Sequence, residues 1–118
     1  MSRTLIAASL LTLGALIPAL PVVAEEAMTA ADRGRATAFD RKKGNCLACH
    51  AIQKEESPGT IGPPLVAMDV RYPDKAALRA KIWDATKTNP DTAMPPFGRH
   101  QILSEQEIDD VTAFISSL

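Results

Sequence analysis

Aromatic side chains are scarce in this 118-residue chain: one Trp, one Tyr and three Phe. All five, Phe39, Tyr72, Trp83, Phe97 and Phe114, lie beyond residue 24. A small domain with so few large rings has a thin core of its own and usually needs a staple. Cysteine is equally sparse. Cys46 and Cys49 are the only two, so nothing is left over for a disulfide framework. Neither sign of charge dominates, with 13 Lys and Arg against 14 Asp and Glu. There is no basic stripe for nucleic acid and no polybasic membrane patch. Internal repeats, low-complexity tracts and the alternation of half-buried strands are all missing.

Long hydrophobic runs are missing too, except at the start. Arg3 is a short positive region, Leu5 to Leu16 an apolar core, and Pro18 and Pro21 break it. Val22-Val23-Ala24 is a small-residue cleavage site ahead of Glu25-Glu26. Together these describe a secretory signal peptide over residues 1–24. The alternative, an uncleaved anchor, is disfavoured by an apolar core well short of the ~20 residues a membrane span needs. No cysteine sits at the cleavage site, which argues against a lipoprotein. Cleavage leaves a single domain over 25–118, 94 residues long, with 12 Lys and Arg against 14 Asp and Glu. So little net charge points to a partner surface that is apolar at its centre rather than steered by charge.

The feature that decides the chemistry is Cys46-Leu47-Ala48-Cys49-His50. This C-x-x-C-H pentad is the signature of covalent c-type haem attachment. Two thiols three residues apart reach the two haem vinyl groups from one helical turn and add across them as thioethers. The adjacent His50 then supplies a nitrogen to the iron as proximal ligand. The competing reading is a redox or structural Cys46–Cys49 disulfide, but a thioredoxin-type site expects a βαβ context that is absent here. A buried porphyrin also supplies the apolar bulk the aromatics do not. Export fits, because attachment of this kind implies a bacterial periplasm or an equivalent compartment.

The rest reads as helices joined by proline-rich loops, so the fold class is all-α. Thr29-Ala30-Ala31-Asp32 starts a helix that runs to about Lys43, with Gly44 as its stop. Gly34 and Ala38 share a face that lets another helix come close, with Phe39 as the knob. A middle helix starts near Pro73-Asp74 and ends before Asn89-Pro90, with Leu78, Ile82 and Ala85 inward. Ser104-Glu105-Gln106-Glu107 is a capping box, followed by Ile108, Val111, Ile115 and Leu118 at helical spacing beside Phe114. Glu105, Asp109 and Asp110 form that last helix's polar face, and its apolar face docks on the first helix.

A low-spin haem takes a second axial ligand, for which Met28, Met68, Met94 and His100 are the candidates. Met28 precedes the first helix. Met68 lies in the apolar run Leu65-Val66-Ala67-Met68 and reads as core. Met94 begins Met94-Pro95-Pro96-Phe97-Gly98, a loop that two prolines stiffen. A thioether is a weak ligand and gains most from a preorganised loop, which favours Met94. His100, on the same loop, is the competitor, and otherwise a solvated histidine.

This order of helix, pentad, Gly-Pro loop, helix, Met-Pro loop and amphipathic helix resembles a class I cytochrome c. In that fold the N- and C-terminal helices pack together beside the haem. More specifically, Phe39-Asp40-Arg41-Lys42-Lys43-Gly44-Asn45 ahead of the pentad, Ile61-Gly62-Pro63-Pro64-Leu65, Arg71-Tyr72-Pro73, and Asn89-Pro90 through Thr92-Ala93-Met94-Pro95-Pro96-Phe97-Gly98 resemble the SoxX family, over about residues 30 to 118. These are the monohaem subunits of SoxAX cytochromes. The resemblance implies a heterodimer with a SoxA-like cytochrome, which joins thiosulfate oxidatively to a cysteine of the SoxYZ carrier. The SoxX-like chain then accepts electrons from the SoxA haem and hands them to a small soluble cytochrome c. It implies no catalysis by this chain alone, and both of its cysteines are consumed by haem. It also implies that the Pro63 carbonyl orients His50, which fixes the imidazole tautomer. Trp83 would offer its indole N–H to a haem propionate, or else be a core tryptophan. Arg71 would neutralise a propionate, or else be solvated. The alternatives to a subunit are a free-standing electron shuttle and an open-site haem catalyst or gas sensor.

Overall fold

The computed structural model describes residues 27–52 and 58–118. The expected signal peptide and its cleavage site lie outside the described residues. Among the described residues four helices follow one another: α1 (Ala30–Phe39), α2 (Met68–Arg71), α3 (Lys75–Trp83) and α4 (Glu105–Ile115). Single 3-10 turns cover Cys46–Ala48 and Ala85–Lys87. Among the described residues there is no strand, only an isolated parallel bridge between Ile52 and Leu65. The architecture is all-α, with α1 and α4 packed together.

Both terminal helices begin on reciprocal caps. The Thr29 hydroxyl accepts from the Asp32 N–H at 3.1 Å, and the Asp32 carboxylate accepts from the Thr29 N–H at 3.0 Å. Ser104 and Glu107 repeat the arrangement on α4 at 3.2 and 2.9 Å. Each cap satisfies amides that the first turn leaves without helical partners. The far end of α1 differs from the sequence expectation. The helix stops at Phe39, four residues before Lys43, because Asp40 turns extended. Its carboxylate accepts from the Lys42 N–H at 2.8 Å and its carbonyl from the Lys43 N–H at 3.0 Å. A local side-chain turn has outcompeted the helix. The middle helix is likewise cut at Asp84, whose side chain accepts from the Thr86 N–H at 3.1 Å and starts the Ala85–Lys87 turn.

The α1–α4 contact is close because Gly34 has no side chain. A Cβ there would lie 1.9 Å from the Asp110 carbonyl oxygen. Ala38 is fully buried one turn on, and the Phe39 and Phe114 rings meet at 6.0 Å and 57°, a tilted arrangement favoured by their quadrupoles. Ile108, Val111, Phe114 and Ile115 complete the buried stripe of α4. Asp110, read from sequence as part of the polar face, is instead buried at 4% exposure. Arg33 reaches it from α1 with two parallel hydrogen bonds, Nε to Oδ2 at 2.9 Å and Nη2 to Oδ1 at 2.8 Å. Arg79 ties α3 to α4 in the same way, contacting Glu105 at 2.6 Å and Asp109 at 2.5 Å.

The Arg33 hydrogen bonds hold the Asp110 carboxyl below its ordinary range, with help from Gln106. A carboxyl depressed on folding stabilises the fold above its unfolded pKa of ~3.9, and that stabilisation is lost as pH falls through the folded value. Asp110→Asn is therefore expected to cost on the order of 1–2 kcal/mol at neutral pH, the worth of charge-assisted hydrogen bonds to a buried acceptor. The gap from wild type should narrow below pH ~4. Urea unfolding of the two proteins across pH 3 to 7 measures it, and a gap independent of pH would contradict the assignment.

Candidate functional site

Asn45 opens the pentad in the left-handed region at φ 47°, which asparagine tolerates better than most residues. The chain then tightens into the 3-10 turn. The Cys49 and His50 amides both donate to the Cys46 carbonyl, at 3.1 and 2.9 Å. This brings both thiols and the imidazole onto the wall of one cavity of about 740 Å³, a size typical of cofactor sites. No disulfide joins Cys46 to Cys49. Burial pushes the Cys46 thiol up to about 11. A thiol that stays neutral at pH 7 is a poor exchange nucleophile, which weighs against a thioredoxin-type reading.

His50 is held from the loop that follows. The Pro63 carbonyl oxygen lies 2.7 Å from His50 Nδ1. With Nδ1–H donating there, Nε2 is left as the free nitrogen. Gly62 lies flat against the ring, since a Cβ would come within 2.4 Å of Cε1 and 2.6 Å of Nδ1. Its amide donates back to the Cys49 carbonyl at 2.8 Å, so pentad and loop close on each other. One of the Arg71 nitrogens, Nη1, donates to the Pro64 carbonyl at 2.7 Å and to Met68 Sδ at 3.3 Å. Arg71 thus braces the loop that carries the Pro63 acceptor, while also lining the cavity.

Of the four candidates for a distal ligand, Met94 and Met68 line the cavity, and Met28 and His100 do not. Met68 is 2% exposed, packed in the core with its sulfur engaged by Arg71. Met94 is half-buried, its amide donating to the Thr92 hydroxyl at 3.2 Å. Leu78, Ile82, Phe97, Val111 and Ile115 give the cavity an apolar wall drawn from α3, the Met94 loop and α4. A flat apolar group bearing one metal, two thiol-reactive arms and two acids fits this donor set.

The structure places Trp83 differently from its suggested propionate role. Its indole N–H donates to Glu105 Oε1 at 2.9 Å, and the residue is not part of the cavity wall. That partner lies 22 residues away, beyond the reach of any local signal. Sequence reasoning also missed how charge is distributed. Arg41, Lys42, Lys43, Arg71 and Lys81 line the cavity against one acid, Asp91, although the chain's charge balances overall. The four acids of α4 are taken up in ion pairs with Arg33, Lys43 and Arg79. Lys43 is also paired with Glu107, and the remaining basic residues of the lining suit carboxylates, whether those of a porphyrin or those of a docked acidic protein.

Residues 31–118 match the family model described as Cytochrome c. A chain of the crystal structure of SoxXA from P. pantotrophus superposes with a TM-score of 0.67 at 31% identity, covering 78% of this chain and 83% of that one. An uncharacterized lipoprotein of Aquifex aeolicus (strain VF5) is 33% identical over 75 residues, which are 63% of this chain. Those residues are 36% of the relative, so this chain spans about a third of the length of that protein. A cytochrome c domain carries covalently bound haem c, and Cys46, Cys49 and His50 are the residues that fit it. The chain belongs to the cytochrome c family, and within that family it is a SoxX-like cytochrome.

Proposed function

We propose that this chain is the electron-transfer subunit of a SoxAX-type cytochrome in the periplasm, exported by the signal peptide at residues 1–24. Cys46 and Cys49 would hold the haem through their sulfurs, and His50 and Met94 would supply the iron's protein ligands. The observation that carries the reading is one cavity lined by both thiols, His50 and Met94, in a chain that superposes on SoxXA. Haem bound there supplies a one-electron couple, whose potential a thioether–imidazole pair raises. The protein's own part is to fix ligand geometry, exclude water and present an edge to partners. Pro63 and Gly62 set the His50 ring. The apolar wall keeps the surroundings dry, which favours the less charged ferrous form.

The division of labour follows from chemistry. Forming a sulfur–sulfur bond between thiosulfate and a carrier thiolate releases two electrons. A monohaem chain accepts one at a time, so it gains from a donor haem fixed beside it, at an effective concentration on the order of mM. A SoxA-like partner would supply that donor and the bond-forming site, the SoxYZ carrier would bring the cysteine, and a small soluble cytochrome c would take the electrons away. Support for a docked partner comes from exposed apolar side chains around the Gly62–Leu65 loop and the cavity mouth. Ile61 is 73% exposed, Val70 76%, Val66 52% and Ile102 42%. Exposed apolar side chains such as Ile61 and Ile102, which line the cavity, suit an interaction surface, and the basic residues of the same lining suit an acidic acceptor.

In a reconstituted thiosulfate-oxidising system, omitting this chain is expected to abolish thiosulfate-dependent oxygen uptake. An unrelated small cytochrome c should not restore it. Full rescue by that cytochrome would reject the subunit reading and leave a free-standing shuttle as the better account. The chain should also co-purify with a second, larger cytochrome.

A further inference from the structure

We propose that the corner at Trp83–Asp84 is the anchor that sets where the Met94 sulfur sits, with Trp83, Asp84 and Arg99 as positioning residues for the distal ligand. This rests on Met94 being that ligand. Between Met94 and Gly98 the chain is stiff, since Pro95 and Pro96 have fixed φ angles and Phe97 is locked into the core at 7% exposure. A stiff arm carries the position of its clamped end to its free end. The clamp therefore decides where Met94 points.

Three contacts make the clamp, all on two residues. Gly98 lies against the indole face of Trp83, where a Cβ would come within 2.0 Å of Cδ1 and 2.1 Å of Nε1. The Gly98 and Arg99 amides donate to the Trp83 carbonyl at 3.0 and 3.4 Å. Arg99 Nη1 then sits 3.4 Å from Asp84 Oδ2. Asp84 is 2% exposed, and that oxygen is buried without a hydrogen bond, while Oδ1 is taken up by the Thr86 amide and hydroxyl. A buried carboxylate oxygen left without a partner is costly. The Arg99 cation offsets that cost only when the Met94 loop is seated. Lys87, the other cation felt by Asp84, is committed over the Trp83 ring at 5.0 Å.

The anchor is itself fixed. Trp83 Nε1 donates to Glu105, whose other carboxylate oxygen accepts from Arg79 at 2.6 Å, so the corner is bolted to the first turn of α4. None of Trp83, Asp84, Gly98 or Arg99 lines the cavity. Any effect they have on ligation must pass through the loop. A neutral thioether binds iron weakly, so small displacements of its sulfur decide whether it or an outside ligand occupies the position.

The test uses the haem-loaded protein with imidazole as the competing ligand, and follows the far-red charge-transfer band of thioether-ligated ferric haem. Arg99→Gln and Asp84→Asn are each expected to raise imidazole affinity about tenfold, equivalent to about 1.4 kcal/mol, and to weaken the band. Arg99→Lys, which keeps the cation, should restore affinity to within about twofold. Trp83→Phe, which keeps a ring but drops the tie to Glu105, should fall between. If Arg99→Gln and Asp84→Asn lower the unfolding midpoint yet leave imidazole affinity and the band at wild-type values, the residues are merely structural and the anchor is rejected. Failure of the ligand reading looks different: the band is absent from wild type or survives in Met94→Ala, and both proposals then fall together.

Discussion

Replacing Cys46 and Cys49 together by alanine is expected to leave almost no haem-loaded protein, and what chain remains should not fold stably. Each cysteine alone is expected to lower the holoprotein yield sharply, with the residue held by one thioether and the His50 bond. The argument is one of core volume. The cavity of about 740 Å³ is walled by Leu78, Ile82, Phe97, Val111 and Ile115, side chains that also form the hydrophobic core. Without a porphyrin nothing fills the space these residues wall, in a domain that has one tryptophan, one tyrosine and three phenylalanines to build with. Apolar burial at ~25 cal/mol per Å² is the dominant stabilising term for a domain this small. Holoprotein yield from pyridine haemochrome absorbance, together with far-UV circular dichroism, measures the outcome. A double alanine chain that folds cooperatively without haem would show that the protein core stands on its own.

What the sequence made legible was whatever is encoded within a few residues. Both capping boxes, the pentad, the stripe of Ile108, Val111 and Ile115, and the Gly34 face each rest on spacing inside a single helix or turn. The helix ends were less legible, because Asp40 and Asp84 choose between continuing a helix and capping a turn. That choice is settled by which amide the carboxylate meets in the fold. Asp110 is the clearest case of a residue whose role is invisible locally. By periodicity it belongs to a charged face, yet it is buried because Arg33, 77 residues earlier, crosses from α1 to meet it. The link from Trp83 to Glu105 is of the same kind.

Charge carries a related lesson. A chain with nearly equal acids and bases suggests a surface without electrostatic character. Here the fold sets five basic residues and one acid around the cavity, while the four acids of α4 are taken up in ion pairs with Arg33, Lys43 and Arg79. Net charge describes solubility, whereas the field felt by a partner depends on how the signs are sorted in space. The apolar centre expected from the low net charge is therefore accompanied by basic residues around the cavity.

Met94→Ala is expected to open a coordination position and change what the haem can bind. The reduced variant should bind carbon monoxide stoichiometrically where wild type binds none, and its reduction potential should fall, because thioether ligation favours the ferrous state. Four residues competed for this role in the sequence. Two are set aside by placement, since Met28 and His100 do not line the cavity. Met68 does line it, but it is anchored in the core and its sulfur accepts from Arg71. Alanine there is expected to cost stability, about 2–5 kcal/mol as for other buried large-to-small changes, with little effect on the iron. Met94 alone combines a cavity position with a stiff loop whose far end is clamped. The spectra separate the candidates cleanly. If Met94→Ala keeps a six-coordinate methionine-type spectrum while Met68→Ala or His100→Ala loses it, the ligand is not Met94. If wild type itself binds carbon monoxide, the iron is open, and the chain is a haem catalyst or gas sensor rather than an electron carrier.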